Sequence, residues 1–206
     1  KDGYPAYLVG HEFLDMQHED GVYISARGTV SSSGEHSAAY KATKPLRNQV
    51  VYQSNGWLTP NTVTNGQWEY TFADRAHVLS GMYLNNRDNT PAYWPKKWQL
   101  QGWNEETSAW EDIYRRDNDQ PLRGSADNLK DNGRMYWFTE NIKAYQRIRI
   151  NIESNHGGNY TQLSVIRLYE AVIPGQHKYD VALYASEKQP FTASIACGLA
   201  ADGART

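Results

Sequence analysis

Apolar residues in this chain alternate with polar ones over short stretches and rarely recur at helical spacing. In YQRIRINIE, residues 145–153, Ile148, Ile150 and Ile152 point to one face and the residues between them to the other. Such alternation is typical of an antiparallel strand with one buried face. GQWEYTF, residues 66–72, repeats the pattern with three aromatic residues on one face. Both stretches are therefore predicted to be half-buried strands.

Seven or eight segments of this kind lie between residues 21 and 171, separated by Gly, Asn, Asp and Pro. Short strands with frequent turns predict an all-β fold, either a sandwich or a barrel. The expected organisation is an irregular lead-in over residues 1–20 and a β-sandwich over 21–173. Residues 174–206 either add strands to the sandwich or begin a following module.

Composition excludes several classes of partner. The 206 residues carry a net charge of -2, which gives no basic footprint for nucleic acid. No apolar run approaches the roughly 20 residues that cross a bilayer, so we expect no membrane insertion. Cys197 is the single cysteine, so a disulfide within the chain is impossible and a cysteine-built zinc site is disfavoured. The chain begins and ends in polar stretches and reads as a piece of a longer extracellular, cell-surface or virion protein.

Four stretches, in this order, carry a resemblance to a known family. They are ISARGTVSSSGEHSAAYKA (24–42), GQWEYTFADRAHVLSGMYLNNR (66–87), PKKWQLQGWNEETSAWEDI (95–113) and AYQRIRINIESNHGGNYTQLSVIRLYEA (144–171). Together they resemble the discoidin family, also called the coagulation factor V/VIII C-type domain, which includes the family 32 carbohydrate-binding modules. The resemblance implies a discoidin-like jelly-roll β-sandwich of about eight antiparallel strands.

The tryptophans of the third stretch are interpreted as structural residues of the sandwich and not as a binding site. In the resembling domains this stretch is a strand, a hairpin and a second strand. Trp98 would then lie on the first strand and Trp110 would return to the core, while Glu105 and Glu106 sit in water at the hairpin tip. Trp103 is the one of the three for which an exposed position stays open.

One departure from the family concerns metal. In the carbohydrate-binding modules the region near Thr43 helps form a calcium site, and an Asp usual in the family is missing here. Calcium takes several hard oxygen ligands, whereas Lys41 and Lys44 bring positive charge. A calcium site is therefore possible but disfavoured, and no other cofactor is expected.

No arrangement typical of a catalytic centre stands out. Nucleophilic catalysis needs a base beside the nucleophile, and the chain has no G-x-S-x-G motif. The six histidines are scattered along the sequence and do not cluster as metal ligands. A glycosidase needs two carboxylates across the sugar, and no two acids here stand out from ordinary surface charge. We therefore predict that this segment is not an enzyme and assign no catalytic residue.

Three loops have the composition of a sugar site. Sugars are held by an aromatic ring beneath their C–H face and by planar polar groups that reach adjacent hydroxyls. YQSNGW (52–57), NNRDNTPAYW (85–94) and SNHGGNY (154–160) supply both. The candidate ligand-binding residues are Gln53, Asn55, Trp57, Asn86, Arg87, Tyr93, Trp94, His156, Asn159 and Tyr160.

The resemblance gives Arg87 the leading role, because it follows the strand after which sugar-binding members place a sugar-contacting Arg. We expect Arg87 to reach the 52–57 and 154–160 loops, in a shallow pocket floored by Trp57, Tyr93 or Tyr160. The resemblance implies no preference for galactose, because the 52–57 loop has no His. The prediction is a non-catalytic glycan-binding module of a larger extracellular or phage-tail protein, for which an oligomeric state stays open. The alternative is a structural or protein-docking module of a tail fibre or surface adhesin that binds no sugar.

Overall fold

The structure, a computed structural model, describes residues 10–14, 27–46, 56–86, 90–121, 133–138 and 140–172. The chain divides into two compact units, one of which is His11–Ala171 and the other Lys1–Gly10 with Val172–Thr206. All described residues except Gly10 and Val172 belong to the first unit. Within the described ranges no helix has both the length and the apolar character to span a bilayer. The predicted extra strands or module at 174–206 lie outside them.

Strands dominate the described part of the chain, as the alternation predicts. The strands are β1 (Gly10–Leu14), β2 (Gly28–Ser32), β3 (Trp57–Leu58), β4 (Gly66–Phe72), β5 (Leu79–Asn85), β6 (Pro95–Asn104), β7 (Ala109–Arg116), β8 (Gly133–Trp137), β9 (Arg147–Asn155), β10 (Gln162–Leu163) and β11 (Val165–Val172). Two short 3-10 turns, Lys44–Leu46 and Pro91–Tyr93, interrupt the connections. The all-β prediction is confirmed. The strand β1, however, falls inside the lead-in that was expected to be irregular.

The strands form two main sheets. One has the order β1-β11-β5-β8 and the other β2-β4-β9-β6-β7, while β10 pairs with β3. Neighbouring strands in the five-stranded sheet are antiparallel throughout. The predicted sandwich architecture is confirmed, since one hydrophobic core draws its side chains from both sheets.

The core follows directly from the alternation. On β4 the aromatic residues Trp68, Tyr70 and Phe72 point inward and are buried, as are the three isoleucines of β9, where Ile150 pairs with Trp68 and Ile148 with Tyr70. Trp68 stacks on Tyr70 at 6.1 Å between ring centroids. The ring of Trp98 on β6 meets that of Tyr136 on β8 edge to face at 5.0 Å, which joins the two sheets.

The prediction that Trp110 returns to the core is wrong. Trp110 is half-buried on the outer face of the five-stranded sheet, directly opposite Trp103, and the two ring centroids are 5.3 Å apart. The guanidinium groups of Arg147 and Arg149 lie 5.0 and 4.3 Å from the Trp110 ring. These cation–π contacts cover the ring without burying it.

A bulge in β7 is the physical reason. Leu100 pairs with Tyr114, but the next residue, Gln101, pairs with Asp112, which leaves Ile113 as an extra residue. An extra residue reverses which face the following side chains occupy. Tyr114 therefore points into the core, and the tryptophan of β7, on the other side of the bulge, points out.

This difference gives a stability prediction. Trp98 is 0% exposed, so Trp98→Ala should lower the free energy of unfolding by about 3–5 kcal/mol. Trp110→Ala removes a half-buried ring and its cation–π contacts and should cost only about 1–2 kcal/mol. Urea unfolding of the two variants beside the wild type measures both losses. Equal losses would mean that Trp110 occupies the core after all.

Candidate functional site

Four aromatic side chains from three separate loops lie together at one end of the sandwich. The Tyr93 and Tyr160 rings meet edge to face with centroids 5.4 Å apart. The His36 ring lies 5.0 Å from that of Tyr160 and 5.7 Å from that of Tyr40. His36 is exposed and the three tyrosines are half-buried. We refer to these four residues as the tyrosine–histidine cluster.

The sheet register explains why these loops meet. His36 and Tyr40 come after the end of β2, Tyr93 comes just before β6, and Tyr160 comes after β9. β2 pairs with β4, β4 with β9, and β9 with β6, each time in antiparallel register. The end of one strand therefore lies beside the start of its neighbour, and all three loops leave the same edge of the five-stranded sheet.

The loop after β9 lies directly on the turn before β6. The backbone N–H groups of His156 and Gly158 both donate to the carbonyl oxygen of Ala92, at 3.2 and 3.1 Å. A Cβ atom on Gly158 would stand 2.4 Å from Cδ1 of Tyr93, so only glycine allows this approach. Tyr93 and Tyr160 are thus brought together by backbone contacts before their rings touch.

Asn155 stabilises the shape of the same loop from within. Its Nδ2 donates to the carbonyl oxygens of Gly158 at 3.0 Å and Tyr160 at 2.6 Å, and its Oδ1 accepts from Gly157 N–H at 2.9 Å. The φ of Gly157 is 91°, in the region that favours glycine. The two glycines and the buried amide together explain why SNHGGNY forms a defined loop.

Asp119 is the buried polar centre beside this site. Its side chain is 0% exposed. Its carboxylate accepts the indole N–H of Trp94 at 3.2 Å and of Trp98 at 3.0 Å, together with the Tyr136 hydroxyl and the Arg134 guanidinium. A buried carboxylate is tolerated when it is paired and hydrogen-bonded in this way. One acid therefore holds four side chains from two other segments, residues 94–98 and 134–136.

The same residue reaches the loop surface through its backbone. The carbonyl oxygen of Asp119 accepts a hydrogen bond from Nε2 of His156 at 2.6 Å. Burial and the neighbouring carboxylate raise the pKa of Tyr136 far above its ordinary value, so its hydroxyl remains a donor. Because Trp94 follows Tyr93 in the chain, Asp119 helps to position both Tyr93 and His156.

Three of the predicted ligand-binding residues are inaccessible. Trp57 and Trp94 are 0% and 1% exposed, and Asn86 is 5% exposed. The indole N–H of Trp57 donates to the carbonyl of Gly34 at 2.8 Å. Both tryptophan rings are core residues with satisfied N–H groups, so the prediction that they present a face to a sugar is wrong.

The other predicted residues divide into two groups. Tyr93, His156, Asn159 and Tyr160 lie at the surface near one another, with Asn159 exposed and the other three half-buried. Gln53, Asn55 and Arg87 lie outside the described residues. The pocket around Arg87 stays a prediction, but Trp57 is no longer part of its floor.

Sequence reasoning missed three residues of this region. His36 and Tyr40 stand in the serine-rich turn SSSGEHSAAY, where an aromatic residue and a histidine among small polar residues were an available signal. Asp119 stands in RRDNDQPL, which has the composition of an exposed charged turn. No local pattern distinguishes Asp119 from the exposed Asp117 two residues earlier.

Comparisons with known proteins rest on structure. No protein-family model matches the sequence, and no curated protein sequence matches it. The fold is similar to the family 32 carbohydrate-binding module of C. perfringens NanJ in complex with galactose, with a TM-score of 0.56 and 11% identity over 78% of this chain and 99% of that one.

Two further structures are similar. One is an F5/8 type C domain from Bacteroides fragilis, with a TM-score of 0.56 and 18% identity over 73% of this chain and 95% of that one. The other is a Clostridium perfringens family 32 module in complex with GalNAc-β-1,3-galactose, with a TM-score of 0.55 and 10% identity over 76% and 99%. The chain thus has the β-sandwich fold shared by family 32 carbohydrate-binding modules and F5/8 type C, or discoidin-like, domains.

Proposed function

We propose that this chain is a non-catalytic glycan-binding module and that the tyrosine–histidine cluster is its contact surface. The observation that carries the proposal is the meeting of Tyr93, Tyr160 and His36 from three loops, with rings 5.0–5.4 Å apart and partly open to solvent. Tyrosine offers an apolar ring face and a hydroxyl in one side chain. A histidine ring adds a donor or an acceptor for sugar hydroxyls.

The comparisons support the same function. Two of the similar structures are carbohydrate-binding modules solved with galactose or GalNAc-β-1,3-galactose bound. We propose a glycan on a cell surface or in a polysaccharide, and an extracellular, surface or virion parent protein.

A partly exposed contact surface of a few rings implies weak binding. One such site should bind with a Kd of roughly millimolar to micromolar, which corresponds to about 4–8 kcal/mol. Useful adhesion would then require several copies acting together, as in an oligomeric or repeated parent protein. A glycan array probed with a multimerised form of the chain tests this. Binding to no glycan at all would favour the structural or protein-docking alternative.

For any glycan found, Tyr160→Ala should weaken binding at least tenfold, because Tyr160 contacts both Tyr93 and His36 in the cluster. Arg87→Ala is expected to abolish detectable binding, on the strength of the resemblance. Isothermal titration with the array-selected glycan measures both variants. Lys97→Ala, on β6 and paired with Glu153 at 2.6 Å, is the control that should keep wild-type affinity. Unchanged affinity in Tyr160→Ala would place the site elsewhere.

A further inference from the structure

The loop that carries His36 and Tyr40 is closed at its base by one carboxylate. Oε1 of Glu35 accepts the backbone N–H of Ala42 at 2.7 Å, which joins two residues seven positions apart. His36 and Tyr40 lie between the two joined residues. Ala42 is 4% exposed, whereas His36 is exposed. The hydrogen bond therefore separates a buried base from the part of the loop that faces solvent.

Two buried tryptophans hold the base of this loop on either side. The indole N–H of Trp57 donates to the carbonyl of Gly34, and that of Trp68 donates to the carbonyl of Ala42, both at 2.8 Å. Both tryptophan side chains are 0% exposed. The chain is thus anchored just before Glu35 and at Ala42, so Glu35 needs only to close the short distance between fixed points.

The oxygen atoms of this loop do not fit the calcium site that the resemblance implies here. Calcium takes six to eight oxygen ligands. Glu35 is the only carboxylate between Arg27 and Leu46, and one of its oxygens accepts the Ala42 N–H. The carbonyl of Ala42 accepts an indole N–H, and Lys41 and Lys44 flank it in sequence. Among the described residues, no group of three or more His, Cys, Asp or Glu is arranged to hold a metal ion.

We propose that Glu35 is a positioning residue that takes over the organising role of a metal in this loop. Its carboxylate closes residues 36–41 at the Ala42 end, and together with the hydrogen bond from His36 N–H to the carbonyl of Leu58 at 2.9 Å it keeps His36 against Tyr160 in the tyrosine–histidine cluster without any ion. The inference rests on the proposed function for its effect on sugar binding, but the Glu35–Ala42 hydrogen bond is measurable without a sugar.

The effect on affinity follows from the cost of ordering. When the loop is closed beforehand, the side chains of His36 and Tyr40 do not have to be immobilised as the sugar binds. Glu35→Ala removes the hydrogen bond across the base of the loop, so residues 37–41 gain freedom, and it should weaken glycan binding about tenfold. Glu35→Gln keeps an oxygen that accepts the Ala42 N–H and should bind like the wild type. Adding calcium or a chelator should leave the glycan affinity of both variants unchanged.

The experiment combines amide hydrogen exchange with titration on the whole chain. By NMR, the Ala42 amide should exchange slowly in the wild type and in Glu35→Gln, and at least tenfold faster in Glu35→Ala. Glu106→Ala, at the exposed tip of the β6–β7 hairpin, is the control and should leave Ala42 exchange unchanged. Titration with the array-selected glycan should then show weaker binding only in Glu35→Ala.

The two ideas fail in different ways. If the wild type binds no glycan, the proposed function is wrong, while Ala42 exchange still decides whether Glu35 holds the loop. The inference itself is overturned if Ala42 exchange is the same in Glu35→Ala as in the wild type. It is also overturned if EDTA speeds Ala42 exchange in the wild type and calcium slows it again, because an ion would then be organising the loop.

Discussion

Asp119→Ala should lower the free energy of unfolding by about 3–5 kcal/mol, the range expected when one member of a buried ion pair is removed. The substitution leaves Arg134 without its buried partner. It also leaves the indole N–H groups of Trp94 and Trp98 without an acceptor inside the core. Each buried donor left unsatisfied costs about 1–3 kcal/mol. Since a domain of ordinary stability unfolds at about 5–15 kcal/mol, this one change should remove a large share.

Asp117→Ala is the matched control for Asp119→Ala. The Asp117 side chain is 67% exposed and pairs with Arg115 at 2.9 Å, and exposed ion pairs contribute about 0–1 kcal/mol. Urea unfolding followed by tryptophan fluorescence measures both variants. Asp119→Ala should also perturb the NMR signals of Tyr93 and His156, which Asp119 helps to position. A loss no larger than that of Asp117→Ala would show that the carboxylate does not hold the core together.

The second large effect concerns a buried carboxylate near the opposite end of the sandwich. Glu170 on β11 is 4% exposed and accepts from Nδ1 of His77 at 2.7 Å and from Arg75 at 2.8 Å. Glu170→Gln removes the buried charge that pairs with Arg75, and at pH 7 it should cost about 1.5–3 kcal/mol, the range for hydrogen bonds to a charged group.

The same carboxylate predicts how stability depends on pH. Burial opposes the ionisation of Glu170, but the hydrogen bonds and charges of His77 and Arg75 hold its pKa below the ordinary value of 4.5. A carboxyl group with a lowered pKa in the folded state contributes stability that is fully present above its unfolded pKa. That contribution is lost as the pH falls through the folded pKa. The wild type should therefore lose stability below pH 4.5 more steeply than Glu170→Gln.

Thermal unfolding of the wild type and Glu170→Gln between pH 7 and pH 3 measures this difference. The gap between the two melting temperatures should be widest at neutral pH and should narrow as Glu170 becomes protonated. Glu106→Gln, at the exposed tip of the β6–β7 hairpin, serves as a control whose profile should follow the wild type. A constant gap across this range would mean that Glu170 does not ionise in the folded chain as its contacts require.

Much of the fold could be predicted from the order of residues. The strands β4 and β9 were predicted with the correct inward faces, because each alternates strictly and carries large apolar groups on one side only. Trp110 was predicted on the wrong face, because the extra residue at Ile113 reverses the alternation. A bulge depends on how a strand pairs with its neighbour, and the sequence of β7 alone contains no feature that predicts it.

The site shows the same division. The chemistry of Tyr93, His156 and Tyr160 was readable from their loops, because aromatic and planar polar residues among glycines and asparagines are unusual in a plain connection. The burial of the tryptophans, by contrast, could not be predicted from the sequence. Trp57 and Trp94 stand in loops of polar composition, yet each has a carbonyl or carboxylate oxygen inside the molecule that accepts its indole N–H. Whether an indole faces a sugar or the core depends on partners far away in sequence.

The sequence by itself determined the all-β class, the faces of the regular strands and the kinds of side chain present in the loops, because these depend on local alternation and on turn residues. Only the tertiary structure decided which loops meet and which acids are buried. His36 reaches Tyr160, and Asp119 collects four donors, because antiparallel pairing returns distant segments to the same edge of a sheet. These long-range contacts cannot be predicted from local sequence, since each residue makes them only with partners that are far away in the chain.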